Sequence, residues 1–527
     1  MNSSPPQSPP NKSRDVPEIG SAKQSLRWLG VLLGPCLAGA ALIWLPTQFL
    51  DAGGATHPFN WAGRATLAVM IWMGVWWLTE AVEISVTALL PILLFPLLGA
   101  TTVREACAPY ADPLIFLYFG GFILALSMER WGLGKRIALL TLRTMGTSAR
   151  AMVAGFMLVT AVLSAFVSNT ATAAMMLPIA LSVIGLLQRQ SQQQPELQPA
   201  VGRFASCLLL AVAYSASVGG VMTIIGTPTN TFLAGFLRDS IAEEYRLELT
   251  FANWLPIGVS FAAVFLPVMY WVLTRILFPI GDIALEGGRQ MVERELNELG
   301  KMSRGEWNTL AVFVLTVGLW LFRPLLSSLQ IEWGGVNYQP LVNLSDTLIA
   351  MAAALLLFLT PTRRVPLEFT MDWASASRMP WGILILFGGG LSLAAAVQAG
   401  GVAEFIGSQA VGMAALPPLL LILLVTATVV FLTELTSNTA TTASLVPVLA
   451  ALGPGVGVHP YLLIFPATVA ASCAFMLPVA TPPNAIVFGS GRITTAQMVR
   501  AGMVLNLISI GLIMLLTLCV IKPWLGI

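Results

Sequence analysis

Residues 166–180 read FVSNTATAAMMLPIA, and residues 432–447 read LTELTSNTATTASLVP. The two segments share Ser-Asn-Thr-Ala-Thr, at 168–172 and 437–441, set in apolar surroundings. Each follows a Phe-Gly-Gly, at 119–121 and 387–389, and precedes a Thr-Pro step that ends in Asn: IIGTPTN at 224–230 and LPVATPPN at 477–484. Gly120 lies 49 residues before Asn169 and Gly388 lies 50 before Asn438. Three ordered matches at such similar spacing mark an internal duplication. The later interval is longer in the first half, 58 residues from Asn169 to Thr227 against 43 from Asn438 to Thr481, and the polar stretch 188–199 accounts for the difference.

The surroundings decide the solvent. Of 527 residues, 56% are apolar and 10% charged, against roughly 25% charged in a soluble domain. A net charge of +2 argues against a nucleic-acid partner, because it cannot neutralise a run of phosphates. Lipid is therefore the main solvent, and every backbone donor and acceptor has to be paired internally, in helices or a closed barrel. Long apolar runs without strict alternation choose helices. The 46 Gly and 34 Pro, many inside apolar runs, suit close helix packing and helices that unwind around a cavity.

With about 20 apolar residues per span, helices are expected near 28–50, 64–80, 84–100, 112–129, 204–237, 253–279, 307–328, 343–361, 380–400, 460–489 and 502–525. Two pairs of shorter segments, 151–187 and 416–453, surround the Ser-Asn-Thr repeats and are expected to be re-entrant hairpins. The domain plan is a disordered cytoplasmic tail (1–27), a first half (28–280), a cytoplasmic connector (281–306) and a second half (307–527). Basic residues near helix ends favour the cytoplasm. With the tail inside and the C-terminus outside, 21 of the 27 Lys and Arg fall on the inner face. The first Ser-Asn-Thr hairpin then enters from the cytoplasm and the second from outside. The expected fold class is an all-α polytopic membrane protein of about 11 spans plus two hairpins in an inverted-topology repeat, a plan common among secondary transporters.

The residue types explain why such tips would act on ions. Ser and Thr hydroxyls donate or accept and the Asn amide does both, so one tip can offer oxygens to a hard cation and donors to an anion. Helix N-termini add unpaired N–H groups and partial positive charge. Proline breaks the helix at Gly-Thr-Pro and Ala-Thr-Pro, freeing carbonyls for a sodium ion. A lone Ser-Asn-Thr in a membrane helix is ordinarily interhelical hydrogen-bonding glue, and the recurrence in both halves is what raises it to a site. The Phe-Gly-Gly pairs read as packing motifs for close helix approach. Glu434 lies in a hairpin tip, where an ionisable group is costly, and a capping or ion-pair role is expected for it.

Enzyme chemistry finds little support. His57 and His459 are the only histidines, and no HExxH or GxSxG pattern occurs. Five cysteines, Cys36, Cys107, Cys207, Cys473 and Cys519, form no CxxC pair and read as small packing residues. No cofactor is expected.

The motifs just quoted, with DPLIFLYFGGFILALSMERWGL (112–133) and MPWGILILFGGGLSLA (379–394), resemble the divalent anion/sodium symporters, also called the INDY-like or sodium:dicarboxylate/sulfate family. The resemblance runs from about residue 28 to the C-terminus. It implies a homodimer whose protomers carry substrate by an elevator movement of a transport domain against a scaffold. It implies one sodium site at Ser164, Ser168, Asn169 and Gly226, the glycine through its carbonyl, and another at Thr433, Thr436, Asn438 and Ala480, with Thr436 ligating through its backbone. It implies an anion between Ser168-Asn169-Thr170 and Ser437-Asn438-Thr439, with Thr227-Pro228 and Thr481-Pro482 nearby. C4-dicarboxylates such as succinate, malate and fumarate are the expected cargo, because their length can bridge two tips. A citrate or sulfate symporter, a sodium-independent exchanger of the same fold, and a membrane carboxylate receptor are the alternatives. The expected location is a bacterial inner membrane.

Overall fold

A computed structural model describes residues 21–50, 55–146, 148–194, 196, 198–281, 287–333, 336–410 and 415–527. Most of the expected tail and residues 282–286 of the connector lie outside the described residues. The remainder is mostly helical, and eight helices are long and apolar enough to cross a membrane. Three short two-stranded ribbons, pairing 48–50 with 56–58, 331–333 with 336–338 and 361–364 with 367–369, add strands that the all-helical expectation did not include. Each is a local hairpin in a connection, with its backbone paired internally.

Helices begin where the sequence offers caps. Asn60, Ser148, Thr250 and Ser345 each accept a hydrogen bond from the first turn of the helix that follows. Ser303 with Glu306 and Thr494 with Gln497 form reciprocal capping boxes, satisfying donors that a helix leaves open at its start. Helix faces without protein partners carry large exposed apolar side chains, among them Leu32, Ile43, Leu325, Leu359 and Leu507, as contact with lipid tails requires.

The expected span 84–100 is two short helices, Ile84–Thr87 and Leu90–Leu97, and Pro91 and Pro96 lie within the second. The spans expected at 204–237 and 460–489 are likewise discontinuous. Gln198–Val221 unwinds before Pro228–Gly235, and Tyr461–Ala471 unwinds before Pro482–Phe488. In both cases a Thr-Pro restarts the helix, since proline is tolerated in a first turn and not within an interior.

The Ser-Asn-Thr segments form the turns of two helical hairpins. Hairpin 1 is Ala149–Ser164 with Asn169–Gln193, and hairpin 2 is Pro418–Leu432 with Asn438–Gly455. Each packs on the broken helix of its own half, and the restarted segments cross over. Pro482–Phe488 packs on Asn169–Gln193 of hairpin 1, and Pro228–Gly235 packs on Asn438–Gly455 of hairpin 2. The Phe-Gly-Gly glycines permit close approach: a Cβ on Gly120 would lie 2.6 Å from the Ala350 carbonyl oxygen, and one on Gly389 would lie 2.2 Å from that of Ala88. In the connector, Gly288–Glu298 packs against Leu133–Thr144. Arg136 of the latter donates to Glu306 at 2.5 Å and to the carbonyl of Gly300 at 2.9 Å.

Candidate functional site

The two tips face one cavity of about 580 Å³. Ser168, Asn169 and Thr170 reach it from one side, Ser437, Asn438 and Thr439 from the other, and Gly226, Thr227, Pro228, Ala480, Thr481 and Pro482 complete its polar wall. Twelve of the fifteen residues singled out in the sequence therefore line one space. The other three, Ser164, Thr433 and Thr436, are buried one layer behind the tips. Tyr118, Phe122, Phe166 and Ile383 supply apolar walls, and Glu80 is the only carboxylate in the lining among the described residues. Phe166 packs edge-on to Phe313 with ring centroids 5.1 Å apart and stacks near Phe251 at 6.4 Å, which seats the first tip.

Behind each tip lies the same oxygen cluster. Ser164 Oγ is 2.7 Å from Asn169 Oδ1 and 2.7 Å from the Ala216 carbonyl oxygen. Thr433 Oγ1 is 2.8 Å from Asn438 Oδ1 and 2.8 Å from the Ala471 carbonyl oxygen. In each cluster one hydroxyl proton serves two acceptors, so three oxygens converge with a single hydrogen between them. Oxygen-rich, hydrogen-poor clusters of hydroxyl, amide and carbonyl groups suit a hard cation. On Gly226, a Cβ would meet the carbonyl oxygens of Gly220 at 2.5 Å and Ala165 at 3.0 Å, so backbone carbonyls converge there too. Thr436 donates to the Leu432 carbonyl at 3.0 Å and its hydroxyl meets that of Thr441 at 2.6 Å. Its side chain is occupied within the hairpin.

The unwound segments are held by two asparagines to which the sequence reading gave no role. Asn230 Nδ2 points at the carbonyls of Thr223 (2.9 Å), Val221 (3.2 Å) and Gly220 (3.4 Å). Asn484 Nδ2 donates to those of Leu477 (3.1 Å) and Ala474 (3.2 Å). Both reach back seven and ten residues, so the duplication extends to individual hydrogen bonds. Their place at the end of each Thr-Pro motif was the available signal. Glu434 is 3% exposed and acts as a cap: its carboxylate accepts from the backbone N–H groups of Phe475, Met476 and Leu477 and from Asn506 Nδ2.

Four helices begin at the cavity, at Asn169, Pro228, Asn438 and Pro482. Their first-turn N–H groups favour an anion. Ser168 and Thr481 already cap their helices, while Ser437 and Thr227 make no side-chain cap and keep their hydroxyls for other partners. Between them the tips place clustered oxygens behind the cavity wall and helix-start N–H donors along it.

Residues 54–527 match the family model described as the sodium:sulfate symporter transmembrane region. The chain is 40% identical over 521 residues, 98% of its length and 94% of the relative's, to the sodium-dependent dicarboxylate transporter SdcS of Staphylococcus saprophyticus. It is 39% identical over 503 residues to the Staphylococcus aureus (strain USA300) protein of the same name, covering 95% of this chain and 92% of that one. Among solved structures it resembles Neisseria gonorrhoeae MtrF, from a class of antimetabolite efflux pumps, with TM-score 0.57, 12% identity and coverage of 94% of this chain and 97% of that one. It also resembles the Alcanivorax borkumensis YdaH transporter, with TM-score 0.56, 14% identity and coverage of 96% and 98%.

Proposed function

The chain belongs to the sodium:sulfate symporter family, and from that premise we propose that it is a sodium-coupled importer of C4-dicarboxylates in a bacterial plasma membrane. It is a transporter and not an enzyme, as its relatives and structural neighbours are. The observation that carries the reading is the duplicated oxygen cluster, Ser164–Asn169–Ala216 and Thr433–Asn438–Ala471, placed behind two tips that share one cavity.

In this reading one sodium ion replaces the shared proton contact in each cluster. Ser164, Ser168, Asn169 and the Gly226 carbonyl serve the first ion. Thr433, Asn438 and the carbonyls of Thr436 and Ala480 serve the second. The engagement of the Thr436 hydroxyl inside the hairpin supports backbone ligation there. Sodium fixes the Asn side chains and so orients Ser168, Thr170, Ser437 and Thr439 toward a dianion spanning the cavity, with the first turns at Thr227-Pro228 and Thr481-Pro482 completing its donors. No Lys or Arg lines the cavity among the described residues, so the bound cations supply the positive charge. Inward sodium movement provides about 2.3 kcal/mol per charge per 100 mV.

We further assign the two halves to an inverted repeat of about 11 spans and two re-entrant hairpins, with the N-terminus cytoplasmic and the C-terminus outside. Hairpins and broken helices form the moving domain of a homodimeric elevator. The crossed packing of each restarted helix on the opposite hairpin supports their moving as one body. Uptake of labelled succinate into proteoliposomes tests the reading. It should follow an imposed inward sodium gradient and be competed by malate and fumarate more strongly than by citrate or sulfate. Uptake indifferent to sodium, with counterflow in its absence, would establish exchange instead.

A further inference from the structure

We propose that the two cation sites are unequal, and that Glu434 makes the site at hairpin 2 the tighter one, occupied before its counterpart at hairpin 1. The inference rests on the sodium-coupled reading above and deepens it.

The argument begins with the repeat. Ser164 and Thr433 are equivalent, as are Asn169 and Asn438, and in each half the hydroxyl precedes its asparagine by five residues. The residue after the cluster hydroxyl is Ala165 in one half and Glu434 in the other. Both positions join the hairpin tip to the unwound segment, by opposite means. In the first half the Thr223 hydroxyl donates to the Ala165 carbonyl. The equivalent of Thr223, seven residues before the stapling asparagine, is Leu477, which has no hydroxyl to give. There the seam is made by Glu434, accepting from the N–H groups of Phe475 at 2.7 Å, Met476 at 2.9 Å and Leu477 at 3.1 Å, and from Asn506 Nδ2 at 2.7 Å. A Thr/Ala pair is thus exchanged for a Leu/Glu pair. The join is kept, and a formal negative charge is added to one site only.

That charge is not balanced by the protein. Its four donors are neutral amides, and no Lys, Arg or His is paired with Glu434 among the described residues. The side chain is shielded from solvent, so water screens it little. An acceptor-only carboxylate is the form that satisfies all four donors. Glu434 directly follows Thr433 in the cluster, and the segment it holds, 475–477, leads into Ala480. Neighbouring residues lie about 3.8 Å apart at Cα, which keeps the Glu434 charge within roughly 10 Å of the ligands beside it, and at an effective dielectric of about 20 a unit charge at that distance is worth on the order of 1.5 kcal/mol to a cation, so the second site should bind sodium about tenfold or more tightly than the first. Filling it also fixes the Ala480 segment, and the dianion then meets one side of its cavity already ordered.

Equilibrium binding of radioactive sodium to the purified, substrate-free protein, at constant ionic strength with choline, tests this. The wild type should bind in two steps separated by about tenfold or more. Glu434→Gln should weaken the tight step by a similar factor and leave the weak step in place. Asn506→Ala thins the seam without removing charge and should keep both steps. Ser164→Ala should abolish the weak step alone, which keeps the test decisive if the Gln variant does not fold. Two equal sites in the wild type, a tight step that survives Glu434→Gln, loss of the tight step in Asn506→Ala, or its loss in Ser164→Ala would each overturn the inference while leaving sodium coupling intact. A wild type that binds no sodium would overturn the sodium-coupled reading itself.

Discussion

Replacing Gly220 by alanine probes the first cluster with a single methyl group. The added Cβ would stand 2.5 Å from Asn169 Oδ1 and 2.9 Å from its Nδ2. Ordinary contact starts near 3.4 Å, so the amide has to withdraw by about 0.9 Å. Asn169 Oδ1 sits 2.7 Å from Ser164 Oγ, and a shift of that size pulls it out of the cluster. Binding constellations tolerate about 0.5 Å, and a displacement near 1 Å costs on the order of a hundredfold. The half-saturating sodium concentration for succinate uptake in proteoliposomes should therefore rise at least about tenfold. Alanine is preferred over glycine within a helix by about 0.5–1 kcal/mol, so the loss would not reflect a weakened helix. Gly185→Ala, where a Cβ meets nothing within 4 Å, should transport normally and serves as the control. The repeat provides a counter-argument, since the equivalent residue, ten before the stapling asparagine, is Ala474. Pseudo-symmetry alone predicts tolerance, whereas the contact distance predicts failure. A Gly220→Ala protein with the wild-type sodium curve would refute the placement of Asn169 in a cation site.

The remaining expectations are simpler. Asn169→Ala and Asn438→Ala should each abolish sodium-driven uptake while surface labelling shows normal amounts in the membrane; normal transport by either would remove that tip from the site. Asn230→Ala and Asn484→Ala each strip the unwound carbonyls of a side-chain donor; Val221, Thr223 and Leu477 keep a second donor in Trp254 Nε1 and the N–H groups of Gly226 and Ala480, so each variant orphans one buried carbonyl, of Gly220 or Ala474, and denaturant unfolding in detergent should show a loss of about 1–3 kcal/mol, with poor transport. Arg136→Ala leaves Glu306 buried without its cation, costing about 3–5 kcal/mol in the same unfolding assay. Because that pair joins the connector to the helix Leu133–Thr144 rather than lining the cavity, the KM for succinate should stay unchanged in the protein that folds.

Most of the scaffold was legible because lipid makes apolar length a direct signal. The segment expected at 112–129 is the helix Pro113–Arg130, and that expected at 380–400 is Trp381–Ala399. Composition fails where a helix breaks inside an apolar run. Residues 222–227 and 472–481 stay within hydrophobic stretches, so window hydropathy merges the two helices on either side, and only the prolines announce the restart. The tips were legible for a different reason. Polar triplets are expensive in lipid, and a second copy at matched spacing made the expense meaningful. Asn230 and Asn484 were visible in the same motifs, but their role depends on a chain that turns back on carbonyls seven and ten residues earlier, and no linear pattern encodes that turn. The seam made by Glu434 joins residues 72 positions apart at Asn506, a distance at which sequence reading could offer only the choice between cap and ion pair.

The cavity's chemistry constrains the order of events. Its wall offers hydroxyls, amides and helix starts, with Glu80 as its only carboxylate and no basic side chain among the described residues. A dianion entering first would meet only the partial positive charges of those donors. Helix termini supply typically 0.3–1 kcal/mol each, too little to offset the desolvation of two carboxylates, which costs several kcal/mol per ion even after relaxation. In the proposed sites, each sodium bound beforehand would add a full positive charge next to the asparagine proposed to contact the anion. On the proposed site assignment, sodium-first binding thus follows from the lack of arginine and lysine in the cavity lining among the described residues. A variant that installs one there, Thr439→Lys, should bind succinate without sodium and lose gradient-driven accumulation, because affinity would no longer depend on the coupling ion. Retention of strict sodium dependence by that variant would show that the ions order the tips and contribute little through their charge.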